Sequence, residues 1–192
     1  MKKILFLLVS ISGLIQVKAQ PIAFQTQTSV PDFYFGVQSG MESFTGLIGV
    51  TADFRMKNNF FIHAGAGIGS WGGKISAGIR NETSSEKGLG YGIALSWASG
   101  LKDFTTKLET TTGTKDVKLD LLAGYTLVPT ISYKWVIAHR NRFFVEGGYA
   151  IPLQSYPWNI RDGSVLSTTG RETLKILSPG GLSAGIGFQF AL

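Results

Sequence analysis

Between residues 129 and 152 the chain reads PTISYKWVIAHRNRFFVEGGYAIP, with an apolar or aromatic residue at every second position on both sides of a polar turn. Ile131, Tyr133, Trp135 and Ile137 share one face before the turn. Phe143, Val145, Gly147, Tyr149 and Ile151 share one after it, leaving Arg142, Phe144, Glu146, Gly148 and Ala150 opposite. Side chains alternate across a strand, so the stretch reads as a β-hairpin with one greasy and one mixed face. With the turn centred on Arg140, Lys134 lies opposite Glu146. In a soluble sheet the greasy face is the core. In a transmembrane barrel it meets lipid, and the charged face lines the interior.

The start of the chain bears on that choice. Lys2 and Lys3 precede an apolar run over 4–15, and Val17, Lys18 and Ala19 form a small-residue cleavage site. This is the pattern of a secretory signal over 1–19, with Gln20 first in the mature chain; the run is too short for a spanning helix. Without Lys2, Lys3 and Lys18 the 18 basic residues fall to 15 against 12 acidic ones, a net charge of +3. The pI of 9.6 therefore owes much to the signal. No basic cluster remains, so a nucleic-acid partner is not expected. The chain has no cysteine, which excludes disulfides and thiolate metal sites. Charged residues are only 16% of the chain, and no later window reaches 18 consecutive apolar residues. Such a chain points to a barrel in the outer membrane of a Gram-negative bacterium.

The expected fold is all-β: an antiparallel up-and-down transmembrane β-barrel of about eight strands, with ten as the alternative. Residues 20–31 read as a periplasmic segment and 32–192 as the barrel domain. Strands are expected at 32–38, 44–54, 60–70, 88–98, 104–112, 129–137, 142–152 and 180–192. The face carrying Phe44, Ile48, Val50 and Phe54 should point outward; Thr45, Leu47, Thr51 and Asp53 should point inward. Alternate glycines at 65, 67 and 69 should make room for large side chains inside a narrow barrel. Short connections at 55–59, 99–103 and 138–142 alternate with long ones at 71–87, 113–128 and 153–179. Phe54, Phe60, Trp97, Trp135, Phe143 and Phe190 should form an aromatic girdle at the short-turn ends.

The runs TLVPTISYKW and FFVEGGYAI resemble the PorT-like outer-membrane β-barrel proteins of Bacteroidetes, in which a Pro-led strand ending in a Lys-aromatic pair precedes a Gly/aromatic strand. The last strand, GGLSAGIGFQFAL, resembles the C-terminal signal read by the barrel-assembly machinery. It departs from that pattern by ending in Leu192 instead of an aromatic residue, although Phe190 keeps the outward parity. The resemblance implies a fold, a location and an insertion partner. It carries over no catalytic residue.

An interior polar network is expected from Lys134, Glu146, Asp53, His63 and Arg142, joined by Tyr34, Gln38 and Gln189. Asp53 faces His63 if the 55–59 turn centres on Asn58. An eight-stranded barrel is just wide enough for side chains to fill, so the network reads as a plug. Trp158 and Arg161, in loop 153–179, are the candidate anchors for an external protein or surface ligand, with loop 71–87 beside them. No cofactor or metal is expected, since the two histidines are far apart and no cysteine accompanies them. Two other functions compete. A soluble lipocalin-like barrel would turn its aromatic faces inward around an apolar ligand. A lipid-modifying enzyme would need His63 beside a serine at the outer rim.

Overall fold

Period-two alternation closes the chain on itself. In a computed structural model describing residues 31–137, 140–154 and 158–192, eight antiparallel strands form a closed barrel. In chain order these are β1 (Phe33–Met41), β2 (Ile48–Lys57), β3 (Phe60–Gly69), β4 (Gly72–Glu82), β5 (Lys87–Ala98), β8 (Gly124–Val136), β9 (Arg142–Pro152) and β11 (Gly181–Ala191). Each pairs with the next, and β1 pairs with β11, so no barrel strand keeps an open edge. The signal (1–19), residues 20–30 of the N-terminal segment and His139 lie outside the described residues.

The sidedness read from the sequence holds on nearly every strand. Val37, Val50, Ile62, Ile93, Ile131 and Ile186 are exposed on the outer surface, whereas Gln38, Asp53, His63, Lys134, Arg142 and Gln189 are buried inside. The aromatic pairs Phe33–Phe54, Trp135–Phe143 and Phe188–Phe190 gather at the end where β1 begins and β11 finishes. The short turns β2–β3, β4–β5 and β8–β9 lie at that end too. Trp97 does not: it pairs with Tyr125 at the opposite mouth.

The barrel has eight strands, but one is not the strand expected. Residues 71–87 are not a loop. After a two-residue turn at Ser70 and Trp71 they form β4, with Ile75, Ala77 and Ile79 outward and Lys74, Ser76, Arg80 and Glu82 inward. Its outer face is short of large apolar groups and its inner face is glycine, serine and charge, which is the composition of a loop. Conversely, 104–112 is not a barrel strand. Residues 101–110 form β6 (Leu101–Thr110), which pairs with β7 (Gly113–Leu121) as a hairpin projecting from the far mouth. The connection 99–103 thus sits opposite the short-turn end, and 113–128 holds β7 and the start of β8.

Residues 153–179 are not a plain loop either. They supply β10 (Trp158–Ile160), which extends the β6–β7 sheet, and a helix, α1 (Thr168–Leu177). Ser167 caps α1, its hydroxyl accepting from the Gly170 N–H at 3.1 Å. Leu108, Val117, Leu119, Leu121, Leu166 and Leu174 pack with Trp71 and Ala98 into a second core. Two insertions therefore build a cap over one mouth of the barrel.

Two parity errors have one cause each. Phe44 points inward and is 2% exposed, and Leu47 is outside. Strand β2 starts only at Ile48, because 42–47 folds back into the lumen instead of continuing the strand. In the β8–β9 ladder Lys134 faces Phe144 and Glu146 faces Ser132, so the pairing centres one residue earlier than Arg140 and the Lys134–Glu146 pair does not form. Asp53 does face His63.

The alternate glycines make room for the inward loop. A Cβ on Gly65 would come 2.7 Å from the Phe44 ring, and one on Gly67 would strike the Thr45 carbonyl. Gly65→Ala is accordingly expected to destabilise the refolded protein by about 1–3 kcal/mol through overpacking. Combining it with Phe44→Ala should cost less than the sum of the two single changes. Urea-unfolding midpoints in detergent micelles measure both, and strict additivity would refute the contact.

Candidate functional site

The short-turn half of the lumen is filled by a charged network drawn from six strands. Asp53 on β2 is fully buried. Its carboxylate accepts from His63 Nδ1 on β3 and from Arg80 Nη2 on β4, and Arg142 Nη1 on β9 stands 3.9 Å away. Glu82 on β4 is the second carboxylate. It accepts from Lys134 Nζ on β8, from Arg142 Nη1 at 3.2 Å, and faces Arg80 Nε at 3.5 Å. Arg80 and Arg142 are thus shared between the two acids. The Arg142 guanidinium also lies over the Tyr34 ring from β1, 3.4 Å from its centroid, and 4.6 Å from that of Phe61.

A second group fills the half nearer the cap and holds the inward loop. Glu146 accepts from the Gln38 side-chain amide and from the Phe44 N–H at 3.2 Å. Ser76 donates to the Phe44 carbonyl at 2.6 Å, and Lys74 Nζ donates to the Ser43 carbonyl at 2.9 Å while facing Glu42 at 3.5 Å. The Phe44 ring lies on the His63 ring with centroids 3.7 Å apart. His63 is therefore bonded to an acid at one nitrogen and covered by a phenyl ring, 5% exposed, near the short-turn end of β3. Gln189 reaches Thr51 at 3.1 Å across the β1 strand between them.

Each polar residue expected in the interior network is found there, but the wiring differs. Asp53, His63, Lys134 and Arg142 belong to one network, and Glu146 to the loop-holding group. The partner of Lys134 is Glu82. Glu82 and Arg80 were missed because they stand on the strand read as a loop. Once 72–82 is taken as a strand, their parity with Lys74 and Ser76 turns them inward, and that was the available signal.

The external candidates are placed differently again. Trp158 packs against the cap core, and Arg161 pairs with Asp103 and, at 3.4 Å, with Asp120. Both residues tie the second insertion to the first. Neither is offered as a free anchor by this arrangement.

No family model matches the chain, and no curated protein matches it.

Removing one partner of a buried ion network strands the others, typically at about 3–5 kcal/mol. Glu82→Ala should fall in that range, and Lys134→Met placed in the same background should restore part of the loss. Glu146→Gln keeps an acceptor for Gln38 and Phe44 and should cost about 1 kcal/mol. Equilibrium unfolding of the three variants decides the wiring: the opposite ranking of Glu82 and Glu146 would reinstate the Lys134–Glu146 pair.

Proposed function

We propose that this chain is an outer-membrane β-barrel protein whose role is structural or exercised through its cap, with a lumen plugged by side chains and no catalysis. The observation that carries the reading is the sidedness of the closed sheet. Large apolar residues face outward on all eight strands, with Ile68, Ile131 and Ile186 each more than half exposed, while Asp53, Lys74, Arg80, Glu82, Lys134, Arg142 and Glu146 are buried within. Water gives no reason for that distribution; a bilayer does. The barrel strands are 9 to 13 residues long, enough to cross hydrocarbon at a tilt. Closure satisfies the backbone groups that lipid would leave unpaired.

The signal-like start of the chain supports export. The β2–β3, β4–β5 and β8–β9 turns, both ends of the barrel chain and the Phe33–Phe54 and Trp135–Phe143 pairs lie at one mouth, as expected of a periplasmic side, while the two-residue β3–β4 turn and both insertions lie at the other. The cap then stands outside the cell. On this reading the partners are the outer-membrane lipid and, during insertion, the barrel-assembly machinery, and the PorT-like resemblance fits the same fold and place. A lipocalin-like protein would need the reverse sidedness. A lipid-modifying enzyme would need His63 beside a serine at the outer rim, whereas His63 lies deep at the other end with Asp53 and Phe44 around it.

Two measurements test the reading. The protein should fractionate with the outer membrane and migrate differently on a gel before and after boiling; recovery as a soluble periplasmic protein would refute it. Ile186→Arg, near the middle of β11, should destabilise the protein in a bilayer by about 2–4 kcal/mol. Thr105→Arg, on the cap, should stay within about 0.5 kcal/mol. Equal effects at the two sites would mean that position 186 does not meet lipid.

A further inference from the structure

We propose that the cap is seated on the membrane through the C-terminal end of α1, which enters the lipid leaflet on the cap's side. The inference rests on the barrel reading above and names a second lipid contact, outside the barrel wall.

The path of α1 brings it to the rim. Its first turn lies at the far end of β6, where Gly170 packs so closely on the Glu109 carbonyl that no Cβ fits between them. From there it runs back toward the barrel. Only residues 178–180 separate Leu177 from β11, which limits that span to roughly 14 Å. The C-terminal end of α1 is therefore held near the rim of the barrel at the start of β11.

That end is apolar and uncovered. Ile176 is 81% exposed, the highest value among the large hydrophobics of the described residues, and Leu177 beside it is 46% exposed. Three further leucines are bare at the same rim: Leu122 just before β8, Leu153 just after β9 and Leu182 at the start of β11. β8, β9 and β11 are neighbours in the wall, so these residues share one side of the mouth. They continue the outward row of Tyr149, Ile151 and Ile186 beyond the strand ends. The rest of the cap differs. Its sheet turns Thr105, Lys107, Asp116 and Lys118 to the outside, with Lys107 opposite Asp116 and Thr105 opposite Lys118. Among the described residues, Val165 is the one large apolar residue bare at the distal end. Apolar exposure is thus concentrated where the lipid belt would be continued.

The charges on α1 suit the same placement. Lys175, in the last turn and one turn beyond Arg171, is exposed and pairs with Glu172 at 3.3 Å. Long basic side chains at this height can lay their stems on the apolar surface and hold their heads among phosphates. A soluble partner would require a separate reason for the bare rim leucines to lie next to the outward row of the barrel wall. Lipid requires none.

The chain has no cysteine, so single-cysteine variants report one position each. Ile176→Cys, Ile186→Cys and Thr114→Cys would be labelled with the fluorophore NBD and folded into phosphatidylcholine vesicles with or without dibrominated acyl chains. A boiled-against-unboiled gel confirms folding in each case. The expected result is a blue-shifted emission and a roughly twofold loss of intensity in brominated lipid at 176 and 186, with neither at 114. Quenching at 186 with position 176 as wet as 114 would overturn the seating of the cap and leave the barrel reading intact. Absence of quenching at 186 would overturn the barrel reading and this inference together. A blue shift at 176 without quenching, with Ile176→Cys forming a disulfide dimer on oxidation, would assign the patch to a second copy of the chain and overturn the lipid contact.

Discussion

A closed barrel of eight strands has to be filled, and most of the remaining structure follows from how that is done. The lumen is about the width of two facing side chains. Few apolar residues are left to fill it here, because period-two alternation has placed most of them on the outer surface. The filling therefore comes from charged side chains, from the rings of Tyr34, Phe61 and Phe144, and from one stretch of backbone, the loop around Phe44. Gly49, Gly65, Gly67 and Gly185 line the space that this loop occupies, each with a loop or facing-strand atom where a Cβ would stand. Glycine, weak in an ordinary strand, serves here as lumen volume.

The charges impose a second condition. Lysines and arginines in a low-dielectric interior must meet acids at close range. Inside the barrel, Lys74, Arg80, Lys134 and Arg142 are matched by Glu42, Asp53, Glu82 and Glu146, though not in simple pairs: Asp53 and Glu82 share two arginines, and Glu146 binds an amide and a backbone N–H. Because each acid reaches across to other strands, the network also constrains register. A slip of one residue on any of these strands would turn its charges out and its apolar residues in.

The cap obeys a different logic. It has a small apolar core of its own, assembled from two insertions that are separated in sequence by β8 and β9. Trp71, from the tight β3–β4 turn, joins that core and sends its indole N–H to the Leu122 carbonyl at 2.9 Å. Arg161 bridges from the β10 side to acids on β6 and β7. The cap and the wall are thus joined at the mouth through apolar packing, while the wall itself is held by ladder hydrogen bonds and by ions within.

The sequence alone determined the class of the fold and the face on which nearly every wall residue lies. Alternation is a local property, and a strand of ten residues with isoleucine, valine and phenylalanine at every second place states its sidedness without help. It also named the interior residues Asp53, His63, Lys134, Glu146 and Arg142, since parity alone turns them inward. Tertiary structure decided which strands close the wall and which acid meets which base. β4 reads as a loop because its outer face is sparse, and it becomes a strand only when β3 and β5 offer ladders on both sides. β6 reads as a wall strand, yet it carries too few large apolar residues to face outward and turns them to the cap core instead. Lys134 meets Glu82 because β5 alone separates their strands in the wall, a neighbourhood that a sequence separation of 52 conceals.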